Sequence, residues 1–149
     1  MDKDGKVLLQ SQSVYNNKNQ LIKSIDSEGN ATTYTYDASG NQIKTTDANG
    51  HVTENQYDSN NRLVKTIDAL GGETQYEYDI NGNRTKVIAP NGATTTFAYD
   101  NFNQLIKETS PDRGTTTYAY DVSGNQIKIT DANGNTKRIS YDLLKKCRS

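Results

Sequence analysis

Six aspartates recur at one interval: Asp37, Asp58, Asp79, Asp100, Asp121 and Asp142. Carboxylate pairs carry glycoside hydrolysis, so such a column invites an acid–base reading. A catalytic pair needs one special place, however, and a residue repeated in every unit reads as turn chemistry. The stretches "DINGN" (79–83) and "DANGN" (131–135) are rich in the oxygen ligands that hard cations take. They lack the distal glutamate of an EF-hand, and Asp and Asn satisfy turns by themselves. His51, the single histidine, follows the turn at Asn49-Gly50 and is expected to be solvated. Cys147, the single cysteine, has no positioned base and excludes an internal disulfide. No catalytic, metal or cofactor site is expected, and the chain reads as non-enzymatic.

The aspartates belong to a longer count. Tyr15, Tyr36, Tyr57, Tyr78, Tyr99, Tyr120 and Tyr141 each precede Asp or Asn, and every interval is 21 residues. A fixed period of this size signals a repeat architecture. Lysine follows eight residues after each of the first six tyrosines, at Lys23, Lys44, Lys65, Lys86, Lys107 and Lys128. Glycine follows at fourteen, at Gly29, Gly50, Gly71, Gly92 and Gly134, whereas the fifth unit has Arg113 there and Gly114 next. The column at eleven is aspartate except at Ala89 and Ser110. A second period overlies the first. Units starting at 15, 57 and 99 read "NQLIK" or "NRLVK", and those starting at 36, 78 and 120 read "GNQIK" or "GNRTK", giving a translational unit of 42 residues.

Two turn signals cut each unit, one after the tyrosine ("DASGN", 37–41) and one at the "DANG" group (47–50). Asn-Gly supplies the positive φ of tight hairpin turns, and Asp caps its own turn. The two intervening stretches have the common strand length, and none keeps a helical period. Each unit is therefore expected to be a β-hairpin, and the chain an all-β, continuous, curved antiparallel sheet. Six full repeats occupy 15–140 (15–35, 36–56, 57–77, 78–98, 99–119, 120–140), with a partial repeat or cap at 1–14 and a truncated seventh repeat at 141–149. In the second strand, Thr32, Tyr34 and Tyr36 alternate, as do Thr74, Tyr76 and Tyr78, so one face is aromatic and the other meets water. In the first strand, strict alternation puts Leu21, Lys23 and Ile25 together and Ile22 opposite, which leaves its faces unassigned. The lysines are expected to form a ladder whose spacing keeps self-repulsion tolerable in salt.

Composition agrees with this picture. Leu, Ile, Val and Phe number 26 in 149 residues, a level at which disorder is a rival, but the formal net charge is only −1. That balance gives no basic patch for nucleic acid. No apolar run approaches the ~18 residues of a spanning helix, and the N-terminal stretch lacks the apolar segment of an export signal. Neither nucleic acid nor membrane is expected as a partner.

The pattern Y-D-x-x-G-N, then K, D-x-x-G and T-x-Y-x-Y-D, closely resembles the YD repeat of Rhs-type proteins. These include bacterial polymorphic toxins, wall-associated proteins, insecticidal toxin complex C components and teneurins. The resemblance covers about residues 15–142. It implies a β-sheet spiralling into a hollow shell, commonly around a toxin or effector segment, in a secreted or surface protein. The family's closing region carries an autoproteolytic aspartate pair near a D-P-x-G motif. Here the only prolines are Pro90 and Pro111, and neither follows Asp. The resemblance thus implies shell wall, with flanking repeats or other copies of the chain as partners. A glycan or cell-surface ligand is the alternative, since tyrosine rows with Asn and Asp rims can stack on sugars.

Because a repeat is stabilised by its neighbours, Tyr78→Ala should lower the melting temperature more than Tyr15→Ala, which has repeats on one side only. Equal shifts in thermal melts of the two variants would contradict this.

Overall fold

Turns rich in Asp, Asn and Gly every ten or eleven residues leave room only for short strands. The computed structural model describes residues 10–141 and contains thirteen β-strands, with no helix among the described residues. After β1 (Gln12–Tyr15), the first and second strands of successive hairpins alternate. They are β2 (Leu21–Ile25) and β3 (Ala31–Tyr36), β4 (Gln42–Thr46) and β5 (Val52–Tyr57), and β6 (Leu63–Ile67) and β7 (Glu73–Tyr78). There follow β8 (Arg84–Ile88) and β9 (Thr94–Tyr99), β10 (Leu105–Ser110) and β11 (Gly114–Tyr120), and β12 (Gln126–Thr130) and β13 (Thr136–Arg138). Strand order in the sheet is chain order from β1 to β13, an antiparallel meander. Two compact units divide after Gln75, inside β7. Asp142 and Cys147 lie outside the described residues.

The turns differ in type from the tight Asn-Gly hairpin expected. In loop 37–41 the Gly40 amide donates to the Asp37 carbonyl at 3.2 Å, and the Asp37 amide donates to the Asn41 carbonyl at 3.0 Å. This is a three-residue connection, a type I turn closed by one left-handed residue. In loop 47–51 that residue is Gly50 alone, with φ 84°, and Asn49 keeps a negative φ. The same bonds recur in loop 89–93, where Ala89 replaces Asp. The fifth unit departs: Ser110 pairs directly with Gly114, and the left-handed residue moves to Gly114, with φ 69°.

Pairing explains why the first strands resisted assignment. At the tyrosine side of the hairpins the register slips by one: Tyr15 pairs Leu21 while Val14 pairs Lys23, and Tyr36 pairs Gln42 while Thr35 pairs Lys44. The same slip occurs at Tyr57, Tyr99 and Tyr120. One residue per first strand is therefore extra, a β-bulge at Ile22, Ile43, Val64, Ile106 and Ile127. No slip occurs between β2 and β3, where Ser24 pairs Thr32 and Lys23 pairs Thr33. Ser24 thus shares the aromatic face, and its hydroxyl lies 3.2 Å from that of Tyr34. Two residues earlier, Ile22 joins it there, while Lys23 and Ile25 take the other face.

Three lysines of the column stand beside glutamates on that second face. Lys44 meets Glu54 at 3.8 Å, Lys65 meets Glu73 at 2.8 Å and Lys86 meets Glu77 at 3.0 Å. These partly exposed pairs are worth a fraction of 1 kcal/mol each, on the order of 0.5 kcal/mol. Along the second strands, half-buried side chains on the aromatic face alternate with exposed ones on the other face, as expected. The side chain between two aromatic rows is a cation in one place: the Arg84 guanidinium lies 5.9 Å from the Tyr76 ring and 5.5 Å from the Phe97 ring.

No hydrophobic side chain among the described residues is fully buried, and Ser110, at 8% exposure, is the only buried polar residue. Each unit is a single layer without an enclosed core.

A Cβ added at Gly114 would lie 2.6 Å from the Ala132 Cβ, whereas one at Gly50 would meet nothing within 4 Å. Gly50→Ala should therefore cost roughly 1 kcal/mol, from the positive φ alone. Gly114→Ala should cost clearly more in urea unfolding, and the opposite order would refute the close approach of the two loops.

Candidate functional site

The tyrosine and the aspartate of each Tyr-Asp pair do different work on either side of one peptide bond. The tyrosine ends a second strand and reaches across to the strand before it. Tyr36 donates its hydroxyl to the Leu21 carbonyl at 2.8 Å, Tyr57 to Gln42 at 3.1 Å and Tyr99 to Arg84 at 3.0 Å. Tyr120 donates to Leu105 at 2.8 Å and Tyr141 to Gln126 at 3.1 Å. The acceptor is always fifteen residues earlier, at the start of the same hairpin. Such a bond contributes about 1 kcal/mol net. It also holds the bulged end of the first strand, where ladder pairing is broken. Tyr78 occupies the equivalent half-buried place in β7, and Tyr15, in β1, is half exposed.

The aspartate begins the loop and closes it. Asp79 Oδ1 accepts the amides of Asn81 and Asn83 at 2.9 and 2.8 Å, and Oδ2 accepts the Asn83 side-chain amide at 3.0 Å. Asp37 and Asp121 are held the same way by Asn41 and Asn125. At Asp58 the side-chain donor is Arg62 Nε, at 2.8 Å. Asp100 makes the backbone half of the pattern, with Phe102 and Gln104. The second loop repeats the device in three units, at Asp26, Asp47 and Asp131, with Asn30, His51 and Asn135 as clasps, and Asp68 accepts the backbone amides of Leu70 and Gly72. His51 is therefore not simply solvated: its Nδ1 lies 2.9 Å from Asp47 Oδ2, in the place asparagine fills elsewhere.

These donors hold the carboxyls of Asp26, Asp37, Asp79, Asp121 and Asp131 below the usual range, chiefly through the clasping asparagine side chain. Asp47 is lowered chiefly by the His51 side chain, and Asp58 chiefly by the Arg62 backbone amide. In the two loops most like cation sites, 79–83 and 131–135, the carboxylates are occupied by hydrogen-bond donors. Among the described residues no group of three His, Cys, Asp or Glu converges on one point.

The 42-residue period also has a physical basis. The left-handed residue of the tyrosine-side loop is alternately Asn19, Asn61 and Asn103, with φ near 60°, and Gly40, Gly82 and Gly124. Asn41 Nδ2 donates to Asn61 Oδ1 at 2.8 Å, and Asn83 Nδ2 donates to Asn103 Oδ1 at 2.7 Å. The asparagine at the strained position of one loop is thus the acceptor for the loop before it. The clasp four residues after each aspartate and this seam of amides were missed in the sequence, although the columns of Asn41, Asn83 and Asn125 carried the signal.

A single-layer meander joined at every repeat by one Tyr-Asp pair defines a YD-type β-hairpin repeat module. The sequence model of the Teneurin YD-shell family matches residues 5–148, and the chain belongs to that family. No curated protein matches it. Among solved structures, the TcdB2-TccC3 crystal structure is similar at a TM-score of 0.64 and 19% identity, over 79% of this chain and 7% of that one. The TcdB2-TccC3-Cdc42 crystal structure gives 0.64 and 21%, over 89% and 10%. The Photorhabdus luminescens Tc holotoxin pore gives 0.60 and 20%, over 86% and 9%. At such identities the likeness is one of fold, and the chain spans a tenth or less of those chains.

The lowered aspartate pKa values set a pH window. Between the folded and unfolded values the unfolded chain binds more protons, so stability rises with pH there. The contribution is complete above the unfolded value, about 3.9, and is lost as pH falls through the lower folded values. Thermal melts should be flat near neutrality and shift down as pH drops below about 4. An unchanged midpoint down to about pH 3 would contradict the aspartate closures.

Proposed function

We propose that the chain is a non-enzymatic structural module, a wall segment of a larger shell-forming protein that surrounds or displays a toxin or effector. Within each unit the described residues form a layer in which no apolar side chain is fully buried, and this carries the reading, because such a layer is suited to a wall. The hydroxyls of Tyr36, Tyr57, Tyr99, Tyr120 and Tyr141 support it, since they are spent on backbone carbonyls. In this reading residues 15–140 are six wall repeats, with 1–14 and 141–149 as partial repeats at either end. The Tyr, Asp, Lys and Gly columns are structural. The partners are flanking repeats or further copies joined at the strand edges, and the parent protein works outside the cell or at its surface. The likeness in fold to a part of the Tc holotoxin pore supports the reading.

Appending two further repeats should raise the melting temperature, as added neighbours do in a repeat array; an unchanged midpoint would defeat the wall reading. Edge pairing is tested separately by light scattering over a concentration series. The Ile139 amide donates to the Ile127 carbonyl at 2.9 Å, so by alternation the Arg138 amide points away from β12. Association of the unaltered chain that Arg138→Pro abolishes is the expected result. A 16.5 kDa monomer at every concentration would remove self-pairing.

A further inference from the structure

Two cavities occupy equivalent places in the repeat. Beside loop 16–20, Ile22, Tyr34 and Tyr36 floor an open cavity of about 300 Å³ on the aromatic face. Four repeats later Ile106, Tyr118 and Tyr120 floor one of about 680 Å³, between loops 100–104 and 121–125. The rims differ. In the first, Asn16 Nδ2 donates to Gln20 Oε1 at 2.8 Å, and Lys18 stands at the loop tip. In the second, Asp100 and Phe102 take those positions. Asp100 Oδ1 accepts the Phe102 and Gln104 amides at 2.8 and 2.9 Å, while Oδ2 accepts no hydrogen bond from any described residue.

The tips around the second cavity are apolar and open to water. Phe102 is 83% exposed, Val122 is fully exposed, and Ile80 on the preceding loop is 99% exposed. The loops of the first unit carry Lys18, Ser39 and Asn60 where Phe102 stands, and Ala38 and Ser59 where Ile80 and Val122 stand. Water-facing aromatic and aliphatic side chains over an apolar hollow mark an interaction site.

We propose that this cavity binds a polypeptide segment in which a lysine or arginine adjoins an apolar side chain. The apolar side chain fills the hollow against Ile106 and the two tyrosine rings, covered by Phe102 and Val122. The cation pairs with Asp100 Oδ2, the open oxygen at the rim, and lies beside the Phe102 ring. Charge complementarity selects this occupant. The floor presents rings and not hydroxyl donors, because Tyr120 donates to Leu105 at 2.8 Å and Tyr118 faces Glu108 Oε2 at 3.5 Å. A saccharide would find few partners there, and an anionic one would meet a carboxylate. The first cavity is smaller and carries Lys18 at its rim, so it rejects the same segment.

The test is an NMR titration of the intact chain with three capped peptides, acetyl-Leu-Lys-Leu-amide and its Gln and Glu counterparts, and with maltotriose. The lysine peptide should shift the signals of Phe102, Ile106, Tyr120 and Val122 and bind several-fold tighter than the glutamate peptide. Asp100→Asn should reduce it to the level of the glutamine peptide. That variant keeps the loop closed, because Asn16 accepts the amides of Lys18 and Gln20 in the same way. Phe102→Lys, which installs the residue of the equivalent first loop, should abolish binding while the β9 and β12 signals stay in place. Equal binding of the three peptides would overturn the proposal, as would an unaffected Asp100→Asn variant or no shift with any peptide. Shifts from maltotriose alone would assign the cavity to a glycan.

Discussion

The register of this sheet rests on short closed loops, and in most of them a carboxylate makes the closure. Once Asp79 gathers the Asn81 and Asn83 amides on one oxygen, the loop has one shape, and the strands on either side have one register. The closure recurs with Asp37, Asp58 and Asp121, and in the second loop with Asp26, Asp47 and Asp131. A β-strand slipped by one residue turns every side chain to the wrong face. With no fully buried apolar side chain among the described residues to punish such a slip, the loops must prevent it locally. The tyrosine before the aspartate completes the joint, because it grips the first strand where the bulge has interrupted the ladder.

The energy of the fold is correspondingly local. No apolar side chain among the described residues is fully buried, so stability is spread over ladder bonds, loop closures and half-covered rings. Contacts along a meander join near neighbours, as in other quasi-one-dimensional arrays. One bulge position is occupied by β-branched side chains throughout, from Ile22 to Val64 and Thr85. At the joints the same few residue types return.

The period, the hairpins, the turn role of aspartate and the aromatic face were all legible in the sequence, because each is written in residues that recur. The bulge was not. Leu21 to Ile25 alternate in no consistent way on paper, since the count of two breaks at Ile22, and only the pairing of Tyr15 with Leu21 and Val14 with Lys23 reveals it. The turn type was misread for a related reason: Asn-Gly suggests two left-handed residues, but with Asp two places before the asparagine only the glycine needs to be so. Asn19, Asn61 and Asn103 alternate in the sequence with a glycine column, which gives the 42-residue period but not its cause. They adopt the same backbone as Gly40, Gly82 and Gly124, and two of them accept a bond from the loop before. At the second cavity, Phe102 and Val122 belong to no repeating column, and only the neighbouring loops bring them together.

The seam of asparagines bears on how such a gene can lengthen. A duplication that adds one hairpin would set two glycine-type loops, or two asparagine-type loops, side by side, and would leave an amide at the junction without its acceptor or donor. A duplication of two hairpins restores the alternation and leaves every loop with the neighbour it had. Unequal recombination within this sequence therefore preserves the seam in steps of 42 residues and interrupts it in steps of 21. Arrays descended from it should grow by pairs, with the parity of the hairpin count inherited more faithfully than the count itself.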